Sequence, residues 1–273
     1  VTRDELDAQY DTSRQLPDGD VRPYFEAFVR ASDAARARLR GDLNRRYGPH
    51  ERETVDFFPA ARPGAPLFVW VHGGYWRRLS KNEFAFVAGP PLDAGAAVVT
   101  VNYPLAPEAG LDAIVASVRS AYGFALDHAI ELNAVPGPAV VGGHSVGAQL
   151  AGMLATSFEV RGLLALSGLY DLEPLRHSHI NDWIAMDEAT ARRNGPLHHR
   201  PRGTGVPLVA ATGEREQPEF HRQQREFVAA WRSWGGPARE VAAPGLDHFS
   251  IVLQLAERDT PVTRALLELL GLP

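Results

Sequence analysis

The sequence predicts an α/β protein, a mostly parallel central sheet with helices on both faces and a helical N-terminal arm. Three observations lead there. Short apolar runs rich in Val and aromatic residues alternate with longer stretches of helical periodicity. Several of these runs, such as "FVWV" (68–71) and "AVVTV" (97–101), are almost continuously apolar. Strands buried on both faces read this way, and a parallel sheet covered by helices is where they occur. The 273 residues fit one large α/β domain as well as two small ones; a single domain spanning 1–273 is expected, and no repeat or low-complexity tract occurs.

Residues 1–50 are charged and mostly helical in pattern, clearest in "FEAFVRASDAARARLRGDL", and this arm ends at the turn signal "YGPH". The runs "TVDFFPA", "PLFVWVHG" and "AAVVTVNYP" are short and bounded by Pro and Gly, so each reads as a strand. A helix is expected from Leu111 to about Leu132. "PAVVGGHS" is a strand entering glycines, "VGAQLAGMLATSF" a helix and "VRGLLALSGLYD" a further buried strand. Residues 172–205 lack a clear period and are expected to form an irregular cap or lid. "VPLVAATGE" then reads as a strand, Glu219 to Trp234 as a helix and "AREVAAPG" as a strand, with two helices closing the chain.

Composition excludes several classes. The formal net charge is −5 and no long basic run occurs, which argues against a nucleic-acid partner. "ARARLR" is read as a helix with a solvated basic face. There are no cysteines, so disulfides and zinc–thiolate sites are out. No apolar run approaches the roughly 18 residues of a membrane span. The polar start "VTRDELDAQY" has no signal-like apolar stretch. The expectation is a cytoplasmic protein with a small-molecule substrate, no membrane or nucleic-acid partner and no cofactor. The assembly is left open, a homodimer included. None of the ten histidines shows metalloprotease spacing, and no metal is expected.

In such sheets chemistry gathers at the carboxyl ends of the strands, and four unusual segments sit there. Gly143-His144-Ser145-Val146-Gly147 lies between a strand and a helix and fits G-x-S-x-G. A sharp strand-to-helix turn exposes the Ser oxygen at the helix N-terminus, and the flanking glycines let the backbones approach. The plain alternative is a glycine-rich turn with Ser145 as an N-cap. "HGGYW", His72 to Trp76, ends an early strand. Its glycines bring bare backbone amides toward a reacting carbonyl, so the oxyanion hole is assigned to the N–H groups of Gly74 and Tyr75, with Gly73 a further candidate, and Val146. His72 is expected to brace this loop. "GLDHFSIV" supplies His248, a late histidine after the last strand, to activate the Ser. His177, His179, His198, His199 and His221 are expected on loops or the surface, and Asp247 is a decoy. "ATGEREQPEF" offers Glu214, Glu216 and Glu219 as the carboxylate that would orient the imidazole.

Together these segments resemble the arylformamidase (kynurenine formamidase) branch of the α/β-hydrolases, close to the hormone-sensitive-lipase-like esterases. The resemblance rests on "HGGYW", "VNYPLAPE", "SGLYDLEPL", "NDWIAMDEATAR", "PEFHRQQREF", "DHFSIV" and the N-terminal "LDAQYDTSRQLPD", and so covers most of the chain. Two departures stand out. Asn194-Gly195-Pro196 replaces the expected Ser-Pro, and the acid loop offers only Glu where many relatives carry Asp. The family pattern D-S-P-E-F aligns with "EQPEF" and selects Glu216 as the acid, with Glu214 the alternative. The resemblance implies a serine hydrolase in which Ser145 attacks a formyl carbon, His248 moves the proton and Glu216 holds His248. The substrate expected is N-formylkynurenine or a related aryl formamide, with Tyr75, Trp76 and Phe249 as an aromatic wall and Trp183 in the lid. A carboxylesterase acting on small acyl esters is the alternative. A catalytically silent ligand-binding protein on the same fold is a third reading, disfavoured because Ser145 and His248 are both present.

Overall fold

The protein is described by a computed structural model covering residues 2–273. Its strands are β1 (Asp42–Arg46), β2 (Thr54–Phe58), β3 (Leu67–Val71), β4 (Ala97–Val101), β5 (Val140–His144), β6 (Gly162–Leu166), β7 (Leu208–Ala211) and β8 (Ala238–Glu240). The α-helices are α1 (Arg3–Tyr10), α2 (Arg22–Arg38), α3 (Gly89–Ala94), α4 (Leu111–Asp127), α5 (Val146–Ser157), α6 (Asn181–Ile184), α7 (Glu188–Asn194), α8 (Pro218–Ser233), α9 (Ser250–Leu253) and α10 (Pro261–Leu270). The strands form one sheet in the order β1-β2-β4-β3-β5-β6-β7-β8. Only the β1/β2 and β2/β4 pairs are antiparallel; β4 through β8 run parallel.

The continuously apolar strands are explained by two cores. Leu67, Val69 and Val71 of β3 point into one cluster with Val118 of α4, Leu150 of α5 and Phe227 of α8. Phe68 and Trp70, between them, point to the other face, where Phe28 of α2 and Leu266 of α10 pack. Alternate residues therefore go to opposite cores, which is why both faces of the strand are apolar.

β1 departs from the sequence expectation, which placed residues 1–50 in a mostly helical arm. "DLNRR" has no apolar alternation and is exposed along most of its length. It is an edge strand attached to β2 by polar contacts. The Asn44 N–H donates to Asp56 Oδ1 at 2.8 Å, and Lys81 Nζ bridges Asp56 Oδ1 and Asn44 Oδ1, both at 2.7 Å. The arm proper is α1 and α2. The 172–205 segment is a series of short elements, α6 and α7 between single 3-10 turns at Pro174–His177 and Pro196–His198. Among the described residues no helix is long and apolar enough to cross a membrane.

Candidate active site

Ser145 sits at the junction of β5 and α5 with φ 57° and ψ −126°, a conformation strained for a residue with a side chain. The flanking glycines make that turn possible. A Cβ on Gly143 would lie 2.1 Å from the Gly147 carbonyl oxygen, and one on Gly147 would lie 2.2 Å from the Val71 carbonyl oxygen. The strain is held by the Ser145 N–H, which donates to Leu166 O of neighbouring β6 at 2.8 Å. Ser145 and His248 line the same cavity, which measures about 280 Å³.

His248 lies two residues ahead of α9. Its Nδ1 is 2.7 Å from Glu216 Oε2, and both side chains are almost fully buried. The other carboxylate oxygen, Oε1, accepts from Ser167 Oγ at 2.5 Å and from the Gly213 N–H at 2.7 Å. A carboxylate only accepts, so Nδ1 carries the proton and the Nε2 lone pair is left free. Glu214 and Glu219 are engaged elsewhere. Glu214 Oε2 accepts from the Gly245 N–H at 2.7 Å, and Glu219 takes the Tyr10 hydroxyl at 2.7 Å together with Arg222. Asp247 faces away from the imidazole. It accepts from the Phe249 and Ser250 N–H groups and from the Tyr24 hydroxyl. Burial opposes its ionisation, but these hydrogen bonds outweigh it and hold the carboxyl below the usual range.

The loop after β3 turns with positive φ at Gly74 (115°), Tyr75 (50°) and Trp76 (57°). A Cβ on Gly74 would sit 2.1 Å from the Arg78 carbonyl oxygen, and one on Gly73 2.8 Å from that of His144. Glycines at both positions let the loop press against the serine turn. Among the described residues the N–H groups of Gly74, Tyr75 and Val146 have no acceptor, and Gly74 and Tyr75 line the cavity. His72 is fully buried and stacks on Tyr103 at 4.3 Å, with Nδ1 2.7 Å from Gly73 O. Burial pushes its pKa down to about 3, so it is neutral. His144, inside the serine motif, is likewise pushed well down by burial, and its Nε2 donates to His248 O at 2.7 Å. The sequence reading gives His144 no role; its place between a strand end and the serine is the signal that marks it.

A family model described as BD-FAE matches residues 57–184. The kynurenine formamidase of Danio rerio is 30% identical to this chain over 99% of it and 97% of the relative. The chain belongs to the kynurenine formamidase family. It is a hydrolase of the α/β-hydrolase fold. The kynurenine formamidase of Drosophila melanogaster is 28% identical over 81% of this chain and 79% of its own. Among solved structures, a protein from a Silicibacter species described as a candidate thioesterase superposes with TM-score 0.86 at 26% identity, covering 98% of this chain and 99% of that one. An esterase from Pyrobaculum calidifontis gives TM-score 0.70 at 18% identity, covering 98% and 97%, a likeness of fold.

Within this kynurenine formamidase family member, one sequence expectation needs correcting. Trp76 does not wall the cavity. It is wholly buried in the core, where its indole N–H donates to Gln149 Oε1 at 3.0 Å. With φ positive at two successive residues, the loop sends Tyr75 toward the cavity and Trp76 under it. His179 lies in a turn and is partly exposed, as expected of a loop histidine, but it also reaches the site. It lines the cavity with its Nδ1 3.0 Å from Asp7 Oδ1 of α1, and Trp183 meets it edge-on at 5.6 Å. The aromatic lining is Tyr75, Phe84, Trp183 and Phe249 with Tyr10, Phe25 and Phe28 of the arm. The arm's share is invisible in the sequence, because its aromatic residues have the ordinary spacing of a packed helix face. The Asn194 departure also has a structural reason. Gln149 Nε2 donates to Asn194 O at 2.8 Å, and Asn194 Nδ2 donates to Asp112 Oδ1 at 2.8 Å. Trp76, Gln149 and Asn194 thus form one hydrogen-bonded chain from the loop floor to the cap segment.

Proposed function

We propose that the protein hydrolyses the formamide of an aryl amine, N-formylkynurenine or a close analogue, with Ser145 as nucleophile, His248 as general base and acid, and Glu216 as the residue that orients it. The observation that carries this reading is the buried Glu216–His248 pair at 2.7 Å beside a strained Ser145 in an aromatic-lined cavity. With Nδ1 protonated and facing Glu216, the free Nε2 takes the Ser145 proton as Oγ attacks the formyl carbon. The oxyanion develops toward the unpaired amides of Gly74, Tyr75 and Val146, preorganised by the two loops and by the α5 N-terminus. His248 then returns its proton to the leaving aniline, which the aromatic lining receives. Water, activated by the same imidazole, cleaves the formyl-enzyme to formate and restores Ser145. The names carried by the full-length relatives support the formamide substrate.

The test compares kcat/KM for N-formylkynurenine and formanilide with that for p-nitrophenyl acetate and butyrate, alongside labelling by a fluorophosphonate. Labelling of Ser145 with preference for the aryl formamides is the expected result. Labelling with preference for the esters would replace the formamidase reading by the carboxylesterase one, and absence of labelling would refute the serine mechanism.

A further inference from the structure

The catalytic sequence uses no fixed charge in the cavity beyond the Glu216–His248 pair, yet the lining contains two more, Arg78 and Asp11. They come from different elements. Arg78 closes the turn after the HGGYW loop, its N–H donating to Gly74 O at 3.0 Å. Asp11 is the residue at the end of α1. Tyr75 joins the two elements, since its hydroxyl donates to Tyr10 O at 2.6 Å.

Among the described residues, Arg78 makes no ion pair and no side-chain hydrogen bond, while its neighbour Arg77 lies over the Trp183 ring at 4.8 Å. Asp11 also lacks a cationic partner. Its Oδ1 accepts from the Ser13 N–H at 3.0 Å and Ser13 Oγ at 2.6 Å, which fixes the carboxylate and leaves Oδ2 free. The cavity therefore offers one cation and one anion that are not spent on each other. An uncharged ligand that displaced water from them would leave both less well solvated. A purely anionic ligand would satisfy Arg78 but approach Asp11 with like charge. A ligand with one positive and one negative group satisfies both.

We propose that Arg78 and Asp11 are specificity-determining residues that read a zwitterionic α-amino acid head on the aryl formamide, Arg78 taking its carboxylate and Asp11 its ammonium. This rests on the N-formylkynurenine reading above and adds which residues hold the charged head of that substrate. Arg78 is the better carboxylate partner because a guanidinium presents paired donors.

The experiment uses the full chain and three substrates: N-formylkynurenine, with both charges; its des-amino analogue, with the carboxylate alone; and formanilide, with neither. Arg78→Gln is expected to lower kcat/KM for N-formylkynurenine relative to formanilide about tenfold, mainly through KM, as befits a partly solvated ion pair. The des-amino analogue should fall with it, and Arg78→Lys should recover part of the ratio. Asp11→Asn is expected to lower N-formylkynurenine relative to the des-amino analogue about tenfold, because only the ammonium partner is lost. Either ratio remaining within about twofold of wild type overturns the assignment of that residue. A wild-type enzyme that hydrolyses formanilide while both ratios stay put refutes the charged-head inference alone. A wild-type enzyme that hydrolyses none of the three refutes the formamidase reading and takes this inference with it.

Discussion

Replacing Glu216 by Gln isolates the charge on the imidazole with almost no change of shape. The outcome follows from the hydrogen bonds at the two carboxylate oxygens. Oε1 accepts from Ser167 Oγ and the Gly213 N–H, while Oε2 faces His248 Nδ1. The introduced amide would keep its oxygen on the Ser167 and Gly213 donors, because its NH₂ has nothing to donate to at the Gly213 N–H. That orientation turns the NH₂ toward Nδ1, and two donors cannot face each other. His248 must then carry its proton on Nε2 and present a bare Nδ1 to the amide. An imidazole protonated on Nε2 cannot accept the Ser145 proton. The expected cost is about 10⁴ in kcat, the loss seen when the tautomer is wrong in a comparable Ser–His–carboxylate site. Steady-state kinetics with formanilide at neutral pH measures it, with a thermal melt to confirm that the variant folds. Glu214→Gln, which disturbs only the contact to the Gly245 N–H, serves as the comparison. If Glu216→Gln keeps more than about a tenth of wild-type kcat, or if Glu214→Gln is the more damaged of the two, the reasoning is wrong.

Ser145→Ala should lower kcat by about 10⁶ while a competitive aryl ligand still binds, read by single-turnover kinetics and calorimetry; residual activity of a tenth would remove Ser145 from the nucleophile role. His72 has a pKa of about 3 in the folded protein, far below that of a solvated imidazole, so the unfolded chain binds the proton first and stability falls as pH drops from about 6.5 toward 3. Urea unfolding between about pH 7 and pH 4 should show wild type losing up to about 1.4 kcal/mol per pH unit more than His72→Gln, and equal slopes would contradict the buried neutral imidazole. Gly143→Ala should cost about 3 kcal/mol or more by overpacking, since its Cβ would meet the Gly147 carbonyl at 2.1 Å; a melting temperature like that of wild type would show that the turn can give way.

The serine turn was legible because two signals coincide there. An apolar run fixes a strand, a helical pattern follows at once, and the glycines on either side of Ser145 have one steric use in that context. His248 was legible from chain order alone. Glu216 was reached through pattern likeness, as three carboxylates within six residues differ in direction rather than in chemistry. What stayed hidden was direction and long-range partnership. Tyr75 and Trp76 are adjacent aromatics on one loop, and only the backbone angles decide which faces the cavity. β1 stayed hidden because its pairing is polar; a strand held by Asn44, Asp56 and Lys81 carries no hydrophobic alternation to read. The arm's residues in the cavity, Tyr10 and Phe25 among them, are far in sequence from Ser145, His248 and Phe249, which share it.

In the proposed triad Glu216 stands where many relatives are expected to carry Asp, and the sheet order brings together the groups that hold it. β5, β6, β7 and β8 are successive neighbours, and each carboxyl end delivers one part of the site: Ser145 after β5, Ser167 after β6, Gly213 and Glu216 after β7, and His248 beyond β8. Each part is tied to the neighbouring strand or to the loop that follows it. The Ser145 N–H donates to Leu166 O, and the Ser167 N–H donates to Ala211 O, both at 2.8 Å. The Glu214 N–H and the Arg215 N–H reach Ala243 O at 3.1 Å and Leu246 O at 2.9 Å. A longer acid side chain brings one more rotatable bond, and with it more ways to miss the imidazole. Here that freedom is removed by the hydroxyl of Ser167 and the amide of Gly213, which hold one oxygen so that the other can point only at Nδ1. Ser167 has φ 48°, a conformation few residues with side chains adopt, and its hydroxyl lands on Glu216 as a result. The extra methylene and the strained serine at the end of β6 therefore belong to a single arrangement, and neither is accounted for without the other.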